Sequence, residues 1–250
     1  MNQERHQQDG ESGRIDVTPE GLPPVDSGRR RLFRGVGGGA GVLLAVSAKS
    51  AIGGVVCQSP SAALSGNTSP RPGAATCSGG LSPGYWVQPQ HAGNWVTAGG
   101  VFPTFGGLVV SCDIASAKLK KADIATPGTT LQSLFSGWVP AGTDDPIGMW
   151  FAIYDPTNKI FGGGGGIGQL LRHLSCAWLN AGYFTSAAAL YPITKAQVID
   201  MWTQLKNTGV YCPSSLSGCS VPWTADKVIS YIEGLYDINA PVANLCVKSN

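Results

Sequence analysis

The chain has 250 residues and a formal net charge of only +2. Outside an N-terminal arginine cluster, its one basic group is Lys118, Lys120 and Lys121, and this group lacks the aromatic interleaving typical of nucleic-acid-binding surfaces. The sequence therefore argues against nucleic acid as a partner. Beyond the N-terminal region, no segment approaches the roughly 18 apolar residues of a membrane-spanning helix, so we expect no stable membrane span after processing.

Residues 1–28 are rich in Gln, Glu, Asp, Gly, Pro and Arg and contain few large apolar side chains. Such a segment buries too little surface to offset the entropy lost on ordering, so we expect a disordered extension. All seven Trp and all seven Tyr lie in the later part of the chain. The composition predicts a Gly-, Pro- and Ser-rich arm over residues 52–82 and one mostly helical globular domain over residues 83–250.

Residues 29–51 have the order of a twin-arginine export signal. Arg30 and Arg31 are followed after one residue by Phe33 and then by the basic Arg34. A glycine-rich apolar stretch of about a dozen residues comes next, which is too short to span the roughly 30 Å of hydrocarbon in a bilayer. The pattern predicts that the twin-arginine translocase is a partner of the precursor.

Small residues at the end of this stretch fit the steric requirement of a signal peptidase, the second expected partner. We expect cleavage between about Ala48 and Gly54. A lipid-modified cysteine would need a small residue before it, whereas Cys57 follows Val56. A retained N-terminal anchor, or a chance basic and apolar segment, remains the alternative.

The cysteines agree with export, because all seven lie beyond the expected cleavage region, where an oxidising destination permits disulfides. Cys212 and Cys219 enclose a short loop and are the pair that we predict first. An odd number leaves one cysteine free or cross-linked to a second chain, and free buried cysteines are the alternative to bridges. The disulfide candidates are Cys57, Cys77, Cys112, Cys176, Cys212, Cys219 and Cys246.

The first part of the globular domain carries aromatic residues among turn formers without a sustained period, which predicts short helices and turns. These aromatic residues are interpreted mainly as core. The alternative is an aromatic platform for a sugar ring or a peptide. Such a platform would use Tyr85, Trp86, His91, Trp95 and His173.

A glycine-rich run precedes the first strongly periodic segment. Gly163, Gly165 and Gly168 satisfy the G-x-G-x-x-G pattern of dinucleotide sites. However, consecutive glycines satisfy many templates, and no regular βαβ unit follows, so we predict a hinge and no cofactor. Residues 167–184 then place apolar side chains at helical spacings, which predicts a helix with Gly182 as its terminator.

Two further helices have clear start signals. Thr194 and Gln197 form a capping box, and Gly209 marks the end of that helix. Thr224 starts the next helix, with Asp226 in the first turn where the helix dipole favours negative charge.

Catalytic and metal sites have weak signals. His173 and Cys176 stand at i, i+3 on one helix face, but two further metal ligands are lacking and no Cys-x-x-Cys pair occurs, so no metal site is predicted. After the export signal Glu233 is the only Glu, and no Gly-x-Ser-x-Gly elbow or ordered triad is present. We assign no catalytic residue.

Several motifs together resemble a module of uncharacterised secreted and surface-exposed bacterial proteins, over about Cys77 to Leu205. The resemblance implies an exported protein, and no activity is assigned to the module. Here residues 87–90, Val-Gln-Pro-Gln, replace its usual Lys-Asn before the histidine. The motifs are the run Cys77-Ser-Gly-Gly-Leu-Ser-Pro-Gly-Tyr-Trp86, then His91, Trp95, Arg172-His173, Leu179-Asn180-Ala181 and Tyr191-Pro192.

The sequence thus predicts a mainly α fold, a small irregular helical domain with disulfides, exported to the periplasm, the cell surface or the medium. The leading function is non-catalytic binding or assembly, with other envelope proteins or glycans as partners. The alternative is a secreted hydrolase of cell-wall or polysaccharide material. Two carboxylates in one aromatic-lined cleft would favour the enzyme, whereas a closed aromatic core with scattered acids would favour binding.

Overall fold

The structure is a computed structural model. It describes five stretches of the chain, residues 58–66, 79–106, 118–162, 166–186 and 189–236. The predicted N-terminal extension and export signal, and most of the arm, lie outside these residues. The described part is mainly helical, as the sequence predicts, and within it no helix is long and apolar enough to cross a membrane.

Helices and short turns follow one another along the described chain. The α-helices are α1 (Pro60–Ser65), α2 (Pro83–Trp86), α3 (Ala92–Thr97), α4 (Leu131–Leu134), α5 (Met149–Tyr154), α6 (Gly166–Tyr183), α7 (Lys195–Thr208) and α8 (Ala225–Gly234). Single 3₁₀ turns occupy Pro89–His91, Lys121–Asp123 and Lys159–Phe161. Two antiparallel pairs join β1 (Thr104–Phe105) to β2 (Ile124–Thr126) and β3 (Thr185–Ser186) to β4 (Ala189–Leu190).

Helix α6 is the centre of the domain, since α2, α3, α5, α7 and α8 all pack against it. The sequence predicts one apolar stripe on this helix, but burial extends almost all the way around it. From Gly168 to Asn180 every residue is buried except Gln169 and Arg172. A helix that is buried on nearly all sides belongs in the middle of a core. The helix ends at Tyr183, so Gly182, the predicted terminator, lies inside it. A Cβ on Gly182 would come within 2.2 Å of the carbonyl oxygen of Ala98, so this glycine has a packing role and does not end the helix.

The starts of the last two long helices agree with the sequence. Thr194 and Gln197 form the predicted capping box, and Gly209 ends α7 with a left-handed φ of 76°. Thr224 precedes α8 at the predicted cap position, although its side chain makes no capping hydrogen bond, and Asp226 lies in the first turn. These signals are local, which explains why the sequence alone identifies them.

Gly168 is the glycine of the G-x-G-x-x-G pattern that lies within the described residues, and it has a packing role near the start of α6. A Cβ on Gly168 would lie 1.8 Å from the carbonyl oxygen of Pro156, so only glycine permits this approach of α6 to the preceding loop. The apolar residues Met149–Tyr154, which precede the glycine-rich run, form helix α5, whereas a dinucleotide site would have a strand in this position. Gly163 and Gly165 lie outside the described residues.

Cys212 and Cys219 form the predicted disulfide, with their Cα atoms 5.8 Å apart. Among the cysteines in the described ranges, Cys176 is free and fully buried. The alternative interpretation, a free and buried cysteine, is therefore correct for Cys176. The other four candidates, Cys57, Cys77, Cys112 and Cys246, lie outside the described residues.

The core is rich in aromatic side chains whose polar edges are hydrogen-bonded. The indole N–H of Trp95 donates to the carbonyl oxygen of Trp86 at 2.9 Å, and that of Trp150 donates to the carbonyl oxygen of Val87 at 3.0 Å. Both indoles thus hold the backbone at the C-terminal end of α2. A buried indole with its N–H paired contributes its full apolar area without leaving a polar group unsatisfied.

Asn180 connects the start of the domain to the central helix. Its carboxamide oxygen accepts from the Leu81 backbone N–H at 2.8 Å and from the Trp86 indole N–H at 3.2 Å, while its nitrogen donates to the Leu81 carbonyl at 3.0 Å. Gly80 lies directly beside it, where a Cβ would come within 2.6 Å of the Asn180 amide nitrogen. The backbone N–H of Gly80 donates in turn to the carbonyl oxygen of Leu235, so residues 80–81 lie between α6 and the end of α8.

Replacing Asn180 by Ala should strongly destabilise the domain, because it leaves the Leu81 backbone groups and the Trp86 indole buried without partners. We expect the free energy of unfolding to fall by about 2–4 kcal/mol, measured by urea denaturation with tryptophan fluorescence. Asn94→Ala is the matched control, since the Asn94 amide bonds the half-buried Tyr85 hydroxyl, and should cost about 1 kcal/mol or less. Equal stability of the two variants would contradict the role of Asn180.

Candidate functional site

The proposed aromatic platform lies mostly in the core. Trp86 and Trp95 are 0% exposed, so they are core residues, and neither ring offers a face to a ligand. His91 is also buried, and its ring stacks on half-buried Tyr85 with the ring centres 3.7 Å apart. Burial lowers the pKa of His91. These residues therefore stabilise the region around α2 and α3, which is the first of the two interpretations that the sequence offers.

His173, the fifth residue of that set, lies apart from the others in a buried polar cluster. Its Nδ1 is 2.9 Å from the Tyr236 hydroxyl, and its Nε2 is 3.4 Å from a carboxylate oxygen of Glu233. Cys176 interacts with the same Tyr236 hydroxyl. The i, i+3 spacing of His173 and Cys176 thus brings both residues to a tyrosine beyond α8. Within the described ranges, no group of three or more His, Cys, Asp or Glu side chains is arranged to hold a metal ion.

Burial makes this cluster electrically neutral. It lowers the pKa of His173 to about 4, and the positive charge of Arg172 adds to the shift. Glu233 does not offset this, because its side chain is 54% exposed and its contact with His173 is long. Burial also raises the pKa of the Cys176 thiol to about 12 and that of Tyr236 well above its usual value. The cluster offers neither a thiolate nor an exposed base.

The carboxylates of the described chain are dispersed, and several are held locally. Asp145 pairs with Lys121, and Asp123 accepts from the backbone N–H of Lys120. Asp155 accepts from the side chains of Thr157 and Asn158 in the turn that follows α5. The bonds of Asp123 and Asp155 are typical of turns and caps.

A surface groove of about 590 Å³ lies between α2, residues 118–120, the C-terminal end of α5 and the exposed side of α6. We call it the basic groove. Its apolar wall includes Val87, Leu119 and Ile153, all of which are buried. The backbone N–H of Leu119 donates to the Tyr154 hydroxyl at 3.0 Å, which fixes residues 118–120 against α5.

Positive charge dominates the rim of the basic groove. Lys118, Lys120 and Arg172 line it together with one described carboxylate, Asp155. In the described part of the chain, none of the three cations forms an ion pair. Lys118 also has a φ of +46°, the one positive value at a non-glycine position in the described chain. Such backbone conformations are uncommon for lysine and concentrate at ligand sites.

The sequence did not predict this groove. It identified Lys118 and Lys120 as a basic group, but nothing connected them to Arg172 more than 50 residues later. A usable signal was present: Arg172 interrupts a run of buried residues in the central helix, where a charged side chain needs an outlet to solvent. Gln88 also lines the groove and lies within the segment that departs from the resembled module.

The domain should lose stability as the pH falls from about 6.5 to about 4. The folded state keeps His173 neutral down to about pH 4, whereas the unfolded chain takes up a proton near pH 6.5. The pKa is lowered on folding, so stability is lost as the pH decreases through this window and the effect levels off below it. We expect this histidine to contribute on the order of 2 kcal/mol.

The measurement is urea denaturation of the wild type and His173→Gln at several pH values. Gln keeps a hydrogen-bonding group near Tyr236 but does not titrate, so the difference between the two proteins isolates the histidine from the carboxylates. Parallel pH dependences of the two proteins would show that His173 does not titrate in this way.

Comparison with protein-family models finds no match for this chain, and the comparisons with curated proteins and with solved structures find no match either.

Proposed function

We propose that this chain is exported by the twin-arginine translocase, processed by signal peptidase, and acts in the periplasm, at the cell surface or in the medium by binding and not by catalysis. The observation that carries the proposal is the arrangement of ionisable groups. His91, His173 and the free thiol of Cys176 are buried. The basic groove is lined by cations without an ion-pair partner among the described residues, and by one described carboxylate, Asp155. Fixed positive charge in a groove favours binding of an anion.

The same arrangement argues against the alternative of a secreted hydrolase. Glycoside hydrolysis commonly needs two carboxylates about 5–10 Å apart on either side of the bond that breaks. Asp155 lines the groove as the one described carboxylate, and it already accepts two side-chain hydrogen bonds. His91 and His173 are buried, and burial lowers the pKa of both. The groove therefore lacks a described pair that would act as acid and base.

Export is supported by the order of residues 29–51 and by the disulfide. Cys212–Cys219 suits an oxidising compartment. The resemblance to a module of secreted proteins gives further support, because its separate motifs have a physical reason to occur together. Asn180 of the Leu-Asn-Ala motif binds Leu81 and Trp86 of the Ser-Pro-Gly-Tyr-Trp region. We propose that members of this module share that contact.

Substituting Arg30 and Arg31 together by Lys should block export, because the translocase recognises the arginine pair and not positive charge alone. We expect the precursor to accumulate in the cytoplasm, measured by cell fractionation and immunoblotting. Arg29→Lys, which keeps the pair intact, is the matched control and should be exported normally. Normal delivery of the double variant would overturn the twin-arginine assignment.

The purified protein should release no reducing ends from peptidoglycan or from polysaccharides above the level of the buffer, because the described groove offers one carboxylate and no exposed histidine. A colorimetric assay for reducing ends measures this. Asp155→Asn serves as the comparison. Activity that the wild type has and Asp155→Asn lacks would establish the hydrolase in place of the binding protein.

A further inference from the structure

We infer that the basic groove binds an anionic sugar, meaning a sugar or short saccharide that carries a carboxylate or a phosphate. The inference rests on the proposed binding function and adds the site and the ligand class. Three properties of the groove carry it: unpaired positive charge, an apolar wall, and hydrogen-bonding groups suited to hydroxyls.

The positive charge comes from separate parts of the chain that the fold brings together. Lys118 and Lys120 follow one another in an irregular segment, while Arg172 comes from the central helix. The sequence beyond the export signal is close to charge balance, so this rim is a local concentration of charge. The guanidinium of Arg172 matches the geometry of a carboxylate or phosphate, and the two lysines add point charges. An anion at this rim would gain from all three.

The wall of the groove is apolar. Val87, Leu119 and Ile153 line it beside the cations, but each has 7% or less of its surface exposed, so a sugar ring would contact only their outermost atoms. The volume of about 590 Å³ lies within the range of roughly 300–1,000 Å³ usual for small-molecule sites. A bare inorganic ion would use the charge and leave this surface without a contact.

Hydrogen-bond acceptors for hydroxyl groups complete the site. The carboxamide oxygen of Gln88 is buried without a hydrogen-bond partner among the described residues, which is unfavourable for a polar atom. Rotation of this side chain toward the groove would let the oxygen accept from a ligand hydroxyl. Asp155 uses its two oxygens for one bond each to its own turn, and a carboxylate accepts further donors.

The groove fits a saccharide better than a peptide or a nucleic acid. Its described lining comes from helices and loops, so it offers no strand edge to which an extended peptide would add. Single-stranded nucleic acid needs open aromatic faces for base stacking. Here Trp86 and Trp95 are buried, and Tyr154 stacks on Trp150 with the ring centres 4.8 Å apart.

The inference is tested by isothermal titration of the full-length chain with four probes: glucuronate, glucose 6-phosphate, glucose and inorganic phosphate. We expect at least one charged sugar to bind at least about tenfold more tightly than both glucose and inorganic phosphate. The two charged sugars separate a carboxylate site from a phosphate site. Binding should weaken severalfold when salt is raised from low to high concentration, because the rim charges are exposed to solvent.

Variants locate the binding site. Arg172→Gln should weaken binding of the preferred charged sugar by about tenfold or more, because it removes the bidentate donor. Lys227→Gln is the matched control, since Lys227 is an exposed lysine on α8 outside the groove and should leave the affinity unchanged. The N-terminal arginine cluster is common to all proteins compared, so the difference between the variants reports on the groove. Unchanged thermal unfolding of Arg172→Gln would show that the loss comes from binding and not from unfolding.

Three results would overturn the inference: no charged sugar binds more tightly than inorganic phosphate, Arg172→Gln binds as the wild type does, or an acidic peptide of equal charge binds more tightly than the sugars. Each of these leaves the proposed export and lack of catalysis intact. Cleavage of a bound acidic oligosaccharide would have the opposite meaning, because it would disprove the non-catalytic function while the ligand class stood.

Discussion

The domain depends on one buried carboxamide. Asn180 joins two segments that are 99 residues apart in the chain, and it satisfies backbone and indole groups that have no access to water. Buried polar groups are costly when unpaired. The three hydrogen bonds of Asn180 therefore fix Leu81 and Trp86 in one position relative to the central helix. The absence of a Cβ at Gly80 allows the approach. Through this contact the central helix α6 fixes the segment that leads into α2, and every feature near α2 follows from that placement.

The basic groove lies on the outer side of the segment that directly follows α2. The indoles of Trp95 and Trp150 hold the carbonyl groups of residues 86 and 87 from the core side, and the next residue, Gln88, lies in the groove. On α6, Arg172 reaches the groove while its neighbour His173 turns inward to Tyr236. Because the helix advances about 100° per residue, a single turn supplies both a core contact and a surface charge.

The parts of this fold that sequence could predict are those with local causes. The cap at Thr194, the terminating Gly209 and the disulfide within a short loop are each determined by residues a few positions apart. The groove has no such local cause, because Gln88, Lys118 and Arg172 meet only when the core has formed. The predicted stripe on α6 was too narrow for a similar reason: periodicity shows which face is most apolar, but tertiary packing decides how many neighbours surround the helix. The aromatic residues near α2 allowed both a core and a ligand platform, and only their burial separates the two.

Burial also decides which residue types remain available for function. Histidine and cysteine are among the side chains suited to acid–base, nucleophilic or metal chemistry, yet those in the described residues are buried or joined in a disulfide. Desolvation keeps His173 neutral and Cys176 protonated, because the hydration that their charged forms would lose outweighs the interactions with nearby Glu233 and Arg172. Arginine and lysine respond differently, since their long side chains bury an apolar stem while the charge stays in water. The basic groove therefore presents fixed positive charges at the described surface, which would attract and orient an anion, and this agrees with the binding function that we propose.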